Sequence, residues 1–204
     1  MADRDVMVGS TAPDFELESV QGALIRLGDY RGTRNVVLWF SRGFTCPFCR
    51  RFMAQLGQVY DRFRAADAEI VQLGPNALKA ARAYFQSQPP RFPFLCDPSK
   101  QIFTRYGLRD IGALEAGKNT LISFSFAYTH GDGLNTTRAS ALDAFTDNFI
   151  GRMRHHALSA IQQAMFVVDR DGIVRYARVL RPLDTLPPSE ELLREVEKLG
   201  NTGS

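Results

Sequence analysis

The segment Asn35-Val-Val-Leu-Trp-Phe-Ser41 is an apolar run bounded by polar residues, and Cys46-Pro47-Phe48-Cys49 follows it after the loop 42–45. A continuous apolar run is typical of a central strand that is buried on both faces. From Pro47 onward the large apolar residues recur at intervals of three and four, as on one face of a helix. They are Phe48, Phe52, Leu56, Val59, Tyr60 and Phe63. The sequence therefore predicts an α/β fold, with both cysteines where this helix starts.

The start of the predicted helix gives the two cysteines different roles. Pro47 suits the first helical position, where the N–H that proline lacks has no partner within the helix. Cys46 then occupies the N-cap, beside the positive end of the helix dipole and its unpaired N–H groups. These groups, with charge added by Arg42 and Arg50, favour thiolate over thiol. Cys46 is thus the predicted nucleophile, and Cys49, one turn into the helix, is within reach to form a disulfide with it.

The Cys-x-x-Cys segment has two alternative roles that stay open. A structural zinc site needs four ligands, and the remaining candidates do not form a second paired motif with the usual spacing; they are Cys96, His130, His155 and His156. Alternatively, the two cysteines are small buried residues that only pack. Three cysteines are too few for a disulfide framework, and a Cys-x-x-Cys between a strand and a helix is more typical of a redox motif.

Positive charge is concentrated around this segment. Positions 31–64 contain a single acid, Asp61, and the arginines Arg31, Arg34, Arg42, Arg50, Arg51, Arg62 and Arg64. A solvated helix face accounts for such a run, and a positive field at the thiols is the alternative. The net charge of the whole chain is only +3, which does not indicate a nucleic acid partner.

Composition and length limit the class of protein. Of 204 residues 45% are hydrophobic and 23% charged, which is typical of a globular protein and excludes a disordered or fibrous one. The length favours a single domain over residues 1–204 that contains an insertion. No apolar run reaches the ~18 residues of a membrane span, and the first five residues lack the features of a secretory signal. We therefore expect no membrane partner and a cytoplasmic location.

The rest of the chain alternates strands with helices, which predicts parallel pairing. Further strands are expected at 68–73, 92–96, 164–169 and 173–179. Asn76 is expected to cap a second helix, Asp97-Pro98-Ser99 to open a third, and Ser189 to begin the last.

The insertion covers residues 109–161. Its segment 121–128 is apolar and is assigned to neither a helix nor a strand, 130–133 is a predicted turn, and a helix is expected from about Arg138 to Ala160. One face of that helix would pack on the parent fold, form a dimer surface or shape access to Cys46.

An ordered series of segments carries a family resemblance. The segments are Ala12–Leu17, Leu27–Gly32, Phe44-Thr45 ahead of the cysteine, Phe92–Pro98, and Phe166–Asp169 with Gly172–Arg175. Over residues 9–108 and 162–199 the chain resembles the alkyl hydroperoxide reductase/thiol-specific antioxidant (AhpC/TSA) superfamily. The resemblance implies a thioredoxin-like fold, a mixed central sheet flanked by helices, with an N-terminal peroxiredoxin-type extension and a helical insertion.

Two features depart from the superfamily pattern. Its peroxiredoxins carry Pro-x-x-x-Thr-x-x-Cys, whereas here Ser41 replaces the proline, and counting from Thr45 puts Phe48 at the cysteine position. Its peroxidases also have an arginine just before the strand at Phe166, where this chain has Gln162-Gln163. The loop is more similar to the peroxiredoxin-like branch with Cys-x-x-Cys and, locally, to glutaredoxin.

The resemblance implies a thiol-dependent peroxidase that needs no cofactor or metal. Cys46 would attack the peroxide, Cys49 would resolve the product, Thr45 would orient the substrate, and Arg42 or Arg50 would replace the missing arginine. The alternatives are a dithiol–disulfide oxidoreductase acting on protein or glutathione disulfides, and a non-catalytic binding module.

The expected partners follow from this chemistry. They are a peroxide or disulfide substrate, a thiol donor such as thioredoxin, glutaredoxin or glutathione, and a second copy in a possible homodimer. Cys96 is either a second resolving thiol or an inert buried residue.

Overall fold

The computed structural model describes residues 6–145, 161–181 and 184–200. The strands are β1 (Glu16–Glu18), β2 (Leu24–Arg26), β3 (Asn35–Phe40), β4 (Ala68–Gly74), β5 (Phe94–Cys96), β6 (Gln163–Val168) and β7 (Val174–Leu180). The helices are α1 (Pro47–Ala65), α2 (Leu78–Phe85), α3 (Gln101–Arg105), α4 (Ala113–Thr129), α5 (Gly133–Phe145) and α6 (Ser189–Gly200), and a 3-10 helix covers Leu27–Tyr30.

A mixed five-stranded sheet lies at the centre of the fold, in the order β5-β4-β3-β6-β7. β3 pairs in parallel with β4, and β4 with β5, as the alternation of strands and helices predicts. β6 runs antiparallel to β3 and to β7. β1 and β2 form a separate antiparallel hairpin. The predicted mixed central sheet flanked by helices is confirmed.

The central strand β3 is buried along its whole length and divides the core into two layers. Val36, Leu38 and Phe40 pack on one side, with residues of α3 and of the N-terminal segment. Val37 and Trp39 pack on the other side, with residues of α1 and α6. Because successive side chains of a strand point to opposite faces, a continuous apolar run serves both layers.

The sheet topology brings two distant parts of the chain to one end of β3. The loop to α1 leaves the carboxyl end of β3, after Phe40. In the antiparallel pairing with β6, Phe40 lies opposite Ala164, so that β6 begins at this same end. Gln163, the first residue of β6, is therefore a neighbour of the loop that carries the cysteines.

Two sequence predictions about helix boundaries are wrong. The N-cap of α2 is Ala77 and not Asn76, because the Asn76 side chain turns instead to the loop after β3. In the insertion the helix expected from about Arg138 begins already at Gly133, the last residue of the predicted turn. The apolar segment 121–128 is part of a helix, α4. The continuation of the expected helix to Ala160, with His155 and His156, lies outside the described residues.

Within the described ranges, no helix combines the length and the hydropathy that a membrane span requires.

Candidate active site

The loop between β3 and α1 has a fixed shape because buried polar side chains hold its backbone. Ser41 Oγ donates to the Leu73 carbonyl at 2.9 Å and accepts the Gly43 N–H at 3.1 Å. Asn76 Oδ1 accepts the Phe44 N–H at 3.1 Å. Gly43 has φ +81°, and a Cβ added there would lie 1.7 Å from Asn76 Oδ1. The loop therefore requires glycine at this position for both its backbone angle and its space.

Cys46 is the N-cap of α1, and Pro47 is the first helical residue, as predicted. Cys46 Sγ accepts the Cys49 N–H at 3.4 Å, the bond that an N-cap side chain makes to a free amide of the first turn. A hydrogen bond from the Cys49 thiol lowers the pKa of Cys46 to about 6 against the opposing effect of burial, and the charge of Arg42 and helix-start amides contribute. At neutral pH the thiolate of Cys46 is thus its main form.

Cys49 has the opposite character. It is 1% exposed, against 6% for Cys46. Burial raises the pKa of Cys49 well above its usual value, and the hydrogen bond to Cys46 and the negative charge of Cys46 raise it further. The pair therefore holds one proton, located on Cys49, when Cys46 is a thiolate.

Of the two arginines proposed for the site, Arg42 lies at the cysteines. Its positive charge acts on the pKa of both thiols in the lowering direction. The Gln163 side chain lies between Arg42 and Cys49, with one end of its amide 3.3 Å from Cys49 Sγ. The other end faces Arg42, and an amide oxygen turned that way accepts from Nε and Nη2, each at 3.1 Å.

Arg50 is placed differently from the expectation that it acts at the thiols. Its Nη1 donates to the carbonyls of Phe44 and Thr45, at 2.7 and 3.2 Å. Its Nη2 donates to Thr136 Oγ1 at 2.5 Å and forms an ion pair with the Asp132 carboxylate. Arg50 therefore joins the loop before Cys46 to the insertion. Thr45 itself is half-buried and directly precedes Cys46.

Comparisons with known proteins agree with this geometry. The model of the AhpC/TSA family matches residues 8–177. The chain belongs to the AhpC/TSA family. Two crystal structures share its fold: peroxidoxin BcpB of Mycobacterium tuberculosis (TM-score 0.64, 16% identity, 95% of this chain and 98% of that chain) and the reduced 2-Cys peroxiredoxin of Plasmodium vivax (TM-score 0.65, 17% identity, 95% and 82%). These likenesses confirm the predicted thioredoxin-like fold.

Curated relatives of this AhpC/TSA protein have names from two classes of enzyme. The thiol-disulfide oxidoreductase ResA of Geobacillus thermodenitrificans is 35% identical over 105 residues, 50% of this chain and 59% of that protein. Peroxiredoxin bcp1 of Schizosaccharomyces pombe is 24% identical over 131 residues, 64% of this chain and 65% of that protein. Each match covers less than two thirds of the relative's own length.

Cys96 of the AhpC/TSA chain lies in a different part of the core from the other two cysteines. It is buried at the end of β5, in a cluster with Phe85 and Phe94. Cys46 and Cys49 pack in another cluster, with Trp39 and Phe52 among its members. The structure thus brings together Cys46, Cys49 and Arg42 of the predicted site, while Cys96 belongs to separate packing.

Among the described residues, no group of three or more His, Cys, Asp or Glu side chains could hold a metal, so a zinc ion at the cysteine pair would have no further ligands there. His130, one of the candidate zinc ligands, instead stacks its ring on Phe126, at a centroid distance of 4.1 Å.

Gln163 is the main site residue that sequence reasoning did not identify. In the sequence, Gln162-Gln163 is notable only for the arginine that it lacks. The signal that could have found Gln163 is its place directly before the predicted strand at 164–169. The structure pairs that strand antiparallel with β3, so its start meets the end of β3 that leads to the cysteines.

Proposed function

We propose that this chain is a thiol-dependent peroxidase of the peroxiredoxin-like kind, in which the Cys46 thiolate reduces a peroxide and Cys49 resolves the product. The observation that carries the proposal is the division of one proton between two thiols. Cys46 has a pKa lowered to about 6 and Cys49 a raised one, so a nucleophile and a proton-bearing partner lie together at neutral pH.

The chemistry proceeds in two steps at these sulfurs. The Cys46 thiolate attacks the hydroxyl oxygen of the peroxide, the O–O bond breaks, and the other oxygen leaves as alkoxide or hydroxide, which takes a proton from solvent water to give the alcohol or water. Cys46 is then a sulfenic acid. Cys49 attacks that sulfur, a disulfide forms, and the hydroxyl of the sulfenic acid leaves with the Cys49 proton as water. A thiol donor such as thioredoxin, glutaredoxin or glutathione returns the disulfide to two thiols.

Arg42 is our candidate for the positive charge that stabilises the departing oxygen. It already favours the thiolate of Cys46, the atom from which the reaction starts. Arg50 fits this role less well, because its guanidinium is bonded to loop carbonyls, Thr136 and Asp132. We also propose that Thr45, next to Cys46, orients the incoming peroxide.

A second candidate function is reduction of protein or glutathione disulfides. The Cys-x-x-Cys at the helix start and the similarity to ResA favour it, and its first step uses the same Cys46 thiolate. The exposure of Cys46 separates the two candidates. Because Cys46 is only 6% exposed, a small peroxide reaches its sulfur more easily than a disulfide within a folded protein does.

Steady-state assays of the purified chain test the proposal. Hydrogen peroxide, an organic hydroperoxide and insulin disulfides are each offered with a thiol donor, to the native chain and to Cys46→Ser and Cys96→Ser variants. We expect turnover of a peroxide that Cys46→Ser abolishes and Cys96→Ser retains. Rapid reduction of insulin with no consumption of any peroxide would instead support the second candidate function.

We also propose a cytoplasmic location and a homodimer for this chain.

A further inference from the structure

Gln163 is a buried polar residue at the cysteine pair, and the two-step scheme above gives it no role. It is 5% exposed and reaches Cys49 from a position 114 residues further along the chain. Burying an amide is unfavourable unless its donors and acceptors are paired. What Gln163 pairs with therefore indicates what it does.

The amide of Gln163 has two orientations, and each suits one protonation state of Cys49. With its oxygen toward Cys49, it accepts the single S–H of that thiol at 3.3 Å in place of Cys46, and its NH₂ then faces the N–H donors of Arg42. With its oxygen toward Arg42, it accepts from Nε and Nη2, each at 3.1 Å, and its NH₂ lies at the Cys49 sulfur. An N–H donor stabilises a thiolate, whereas an acceptor stabilises a thiol.

The second step of the reaction needs Cys49 in its thiolate form. In the reduced chain, burial and the negative charge of Cys46 oppose that form. Oxidation of Cys46 removes this negative charge, while the positive charge of Arg42 remains beside Cys49. A hydrogen-bond donor at the Cys49 sulfur would then stabilise its thiolate further.

We propose that Gln163 is a further catalytic residue that acts in the resolving step. Its amide oxygen holds the Arg42 guanidinium beside the cysteine pair, and its NH₂ donates to the Cys49 sulfur as that sulfur loses its proton. This role rests on the proposed use of Cys49 as the resolving thiol. It does not depend on whether the first electrophile is a peroxide or a disulfide.

An aromatic disulfide reagent, dithiobis-nitrobenzoate, isolates the step without any peroxide. The Cys46 thiolate attacks the reagent and releases one nitrothiobenzoate anion, leaving a mixed disulfide on Cys46. The Cys49 thiolate then attacks the Cys46 sulfur, forms the internal disulfide and releases the second anion. Stopped-flow absorbance follows both phases, and only the first depends on reagent concentration. All chains carry Cys96→Ala, so that two thiols react.

Two substitutions of Gln163 and one control test the proposal. Gln163→Glu keeps the shape and pairs with Arg42, but it places a negative charge at Cys49 and removes the N–H donor. Gln163→Met keeps the length and removes both hydrogen-bonding groups. The matched control is Gln162→Glu, which introduces the same charge one residue away, where the Gln162 side chain accepts the Arg109 N–H at 3.0 Å.

We expect Gln163→Glu to slow the second phase roughly tenfold at neutral pH and to move its pH midpoint upward, because each pH unit of such a move changes the thiolate fraction about tenfold. The first phase should change less than about threefold, and Gln162→Glu should resemble the parent in both phases. Three results would overturn the proposal. The rate of the second phase in Gln163→Glu could stay within about threefold of the parent rate, both phases could be slowed equally, or Gln162→Glu could slow the second phase as much as Gln163→Glu does. If Gln163→Glu does not fold, Gln163→Met is judged by the same criteria. Failure of peroxide turnover with these results intact would count against the proposed function alone.

Discussion

At the scale of single residues, the chemistry of the site comes from two thiols of the same type in different surroundings. Cys46 has the hydrogen bond from the Cys49 thiol, the charge of Arg42 and the amide donors of its N-cap position, whereas Cys49 is one turn deeper and nearly without exposure. The first set of contacts stabilises a thiolate, and burial stabilises a thiol. This difference was predictable from the sequence, because Pro47 and the apolar spacing of the helix are local signals.

Alkylation across a pH series should show the asymmetry directly. Because the pKa of Cys46 is lowered to about 6, its reactive thiolate is present above that pH and is lost below it. Iodoacetamide labelling of Cys46 should therefore have its midpoint at about pH 6. Cys49, with a raised pKa, should stay unlabelled at neutral pH. Mass spectrometry assigns each site, and labelling of Cys49 or Cys96 before Cys46 would refute the assignment.

Substitution of Arg42 should raise the pKa of Cys46, because one of the groups that stabilise the thiolate is lost. In Arg42→Met we expect the labelling midpoint to rise by roughly one unit, the lower end of the effect of a neighbouring opposite charge. Arg51→Met is the matched control, since Arg51 is an exposed arginine of α1. An unchanged midpoint in Arg42→Met, or equal shifts in the two variants, would show that the charge of Arg42 does not act on Cys46.

At the scale of elements, the site depends on how β3, its loop and α1 are joined. The strand and the helix were predictable from local patterns, and so was Cys46 as the cap. The role of Asn76 was not predictable, because an asparagine directly before a helix usually caps that helix. Here its side-chain oxygen instead accepts the N–H of Phe44, 32 positions away. The partners of Arg50 were equally hidden. Asp132, 82 positions away, directly precedes α5, and Thr136, 86 positions away, lies within α5, a helix that was expected to begin only at about Arg138.

A pair of glycine substitutions separates backbone strain from lack of space in the loop. Gly43 and Gly112 both have φ +81°, but a Cβ at Gly112 meets nothing within 4 Å. Gly112→Ala should therefore lower the free energy of unfolding by the backbone strain alone, roughly 1–3 kcal/mol. Gly43→Ala also displaces the buried Asn76 amide from the Phe44 N–H, and we expect at least ~1 kcal/mol more. Chemical denaturation measures both; equal losses would mean that the Asn76 contact is unimportant.

Arg50 should act as the connection between the loop and the insertion. Arg50→Lys cannot reach the loop carbonyls, Thr136 and Asp132 together, because an ammonium lacks the planar fork of a guanidinium. We expect faster hydrogen exchange at the start of α5 and in the loop, with the pKa of Cys46 little changed. Arg51→Lys, at an exposed position, is the control. Unchanged exchange in Arg50→Lys, or a large change in Arg51→Lys, would contradict this role.

At the scale of the whole molecule, the fold follows from ordered segments that sequence reasoning could recognise, and the family match over residues 8–177 agrees with it. The arrangement of the insertion did not follow, because α4 and α5 take their positions from long-range contacts such as the Arg50 bridge. The contact of Gln163 with the cysteine pair is also long-range. Only the antiparallel pairing of β6 with β3 brings it to the cysteines.

The central claim, that Cys46 is oxidised by peroxide and resolved by Cys49 in the same chain, is tested most directly by mass spectrometry after one equivalent of peroxide. The native chain should yield a peptide with a Cys46–Cys49 disulfide and lose two hydrogens in mass. Cys49→Ser should instead stop at a sulfenic acid on Cys46, trapped by dimedone, and Cys96→Ser should behave as the native chain does. A disulfide that involves Cys96, or sulfenic acid trapped on a cysteine other than Cys46, would contradict the account.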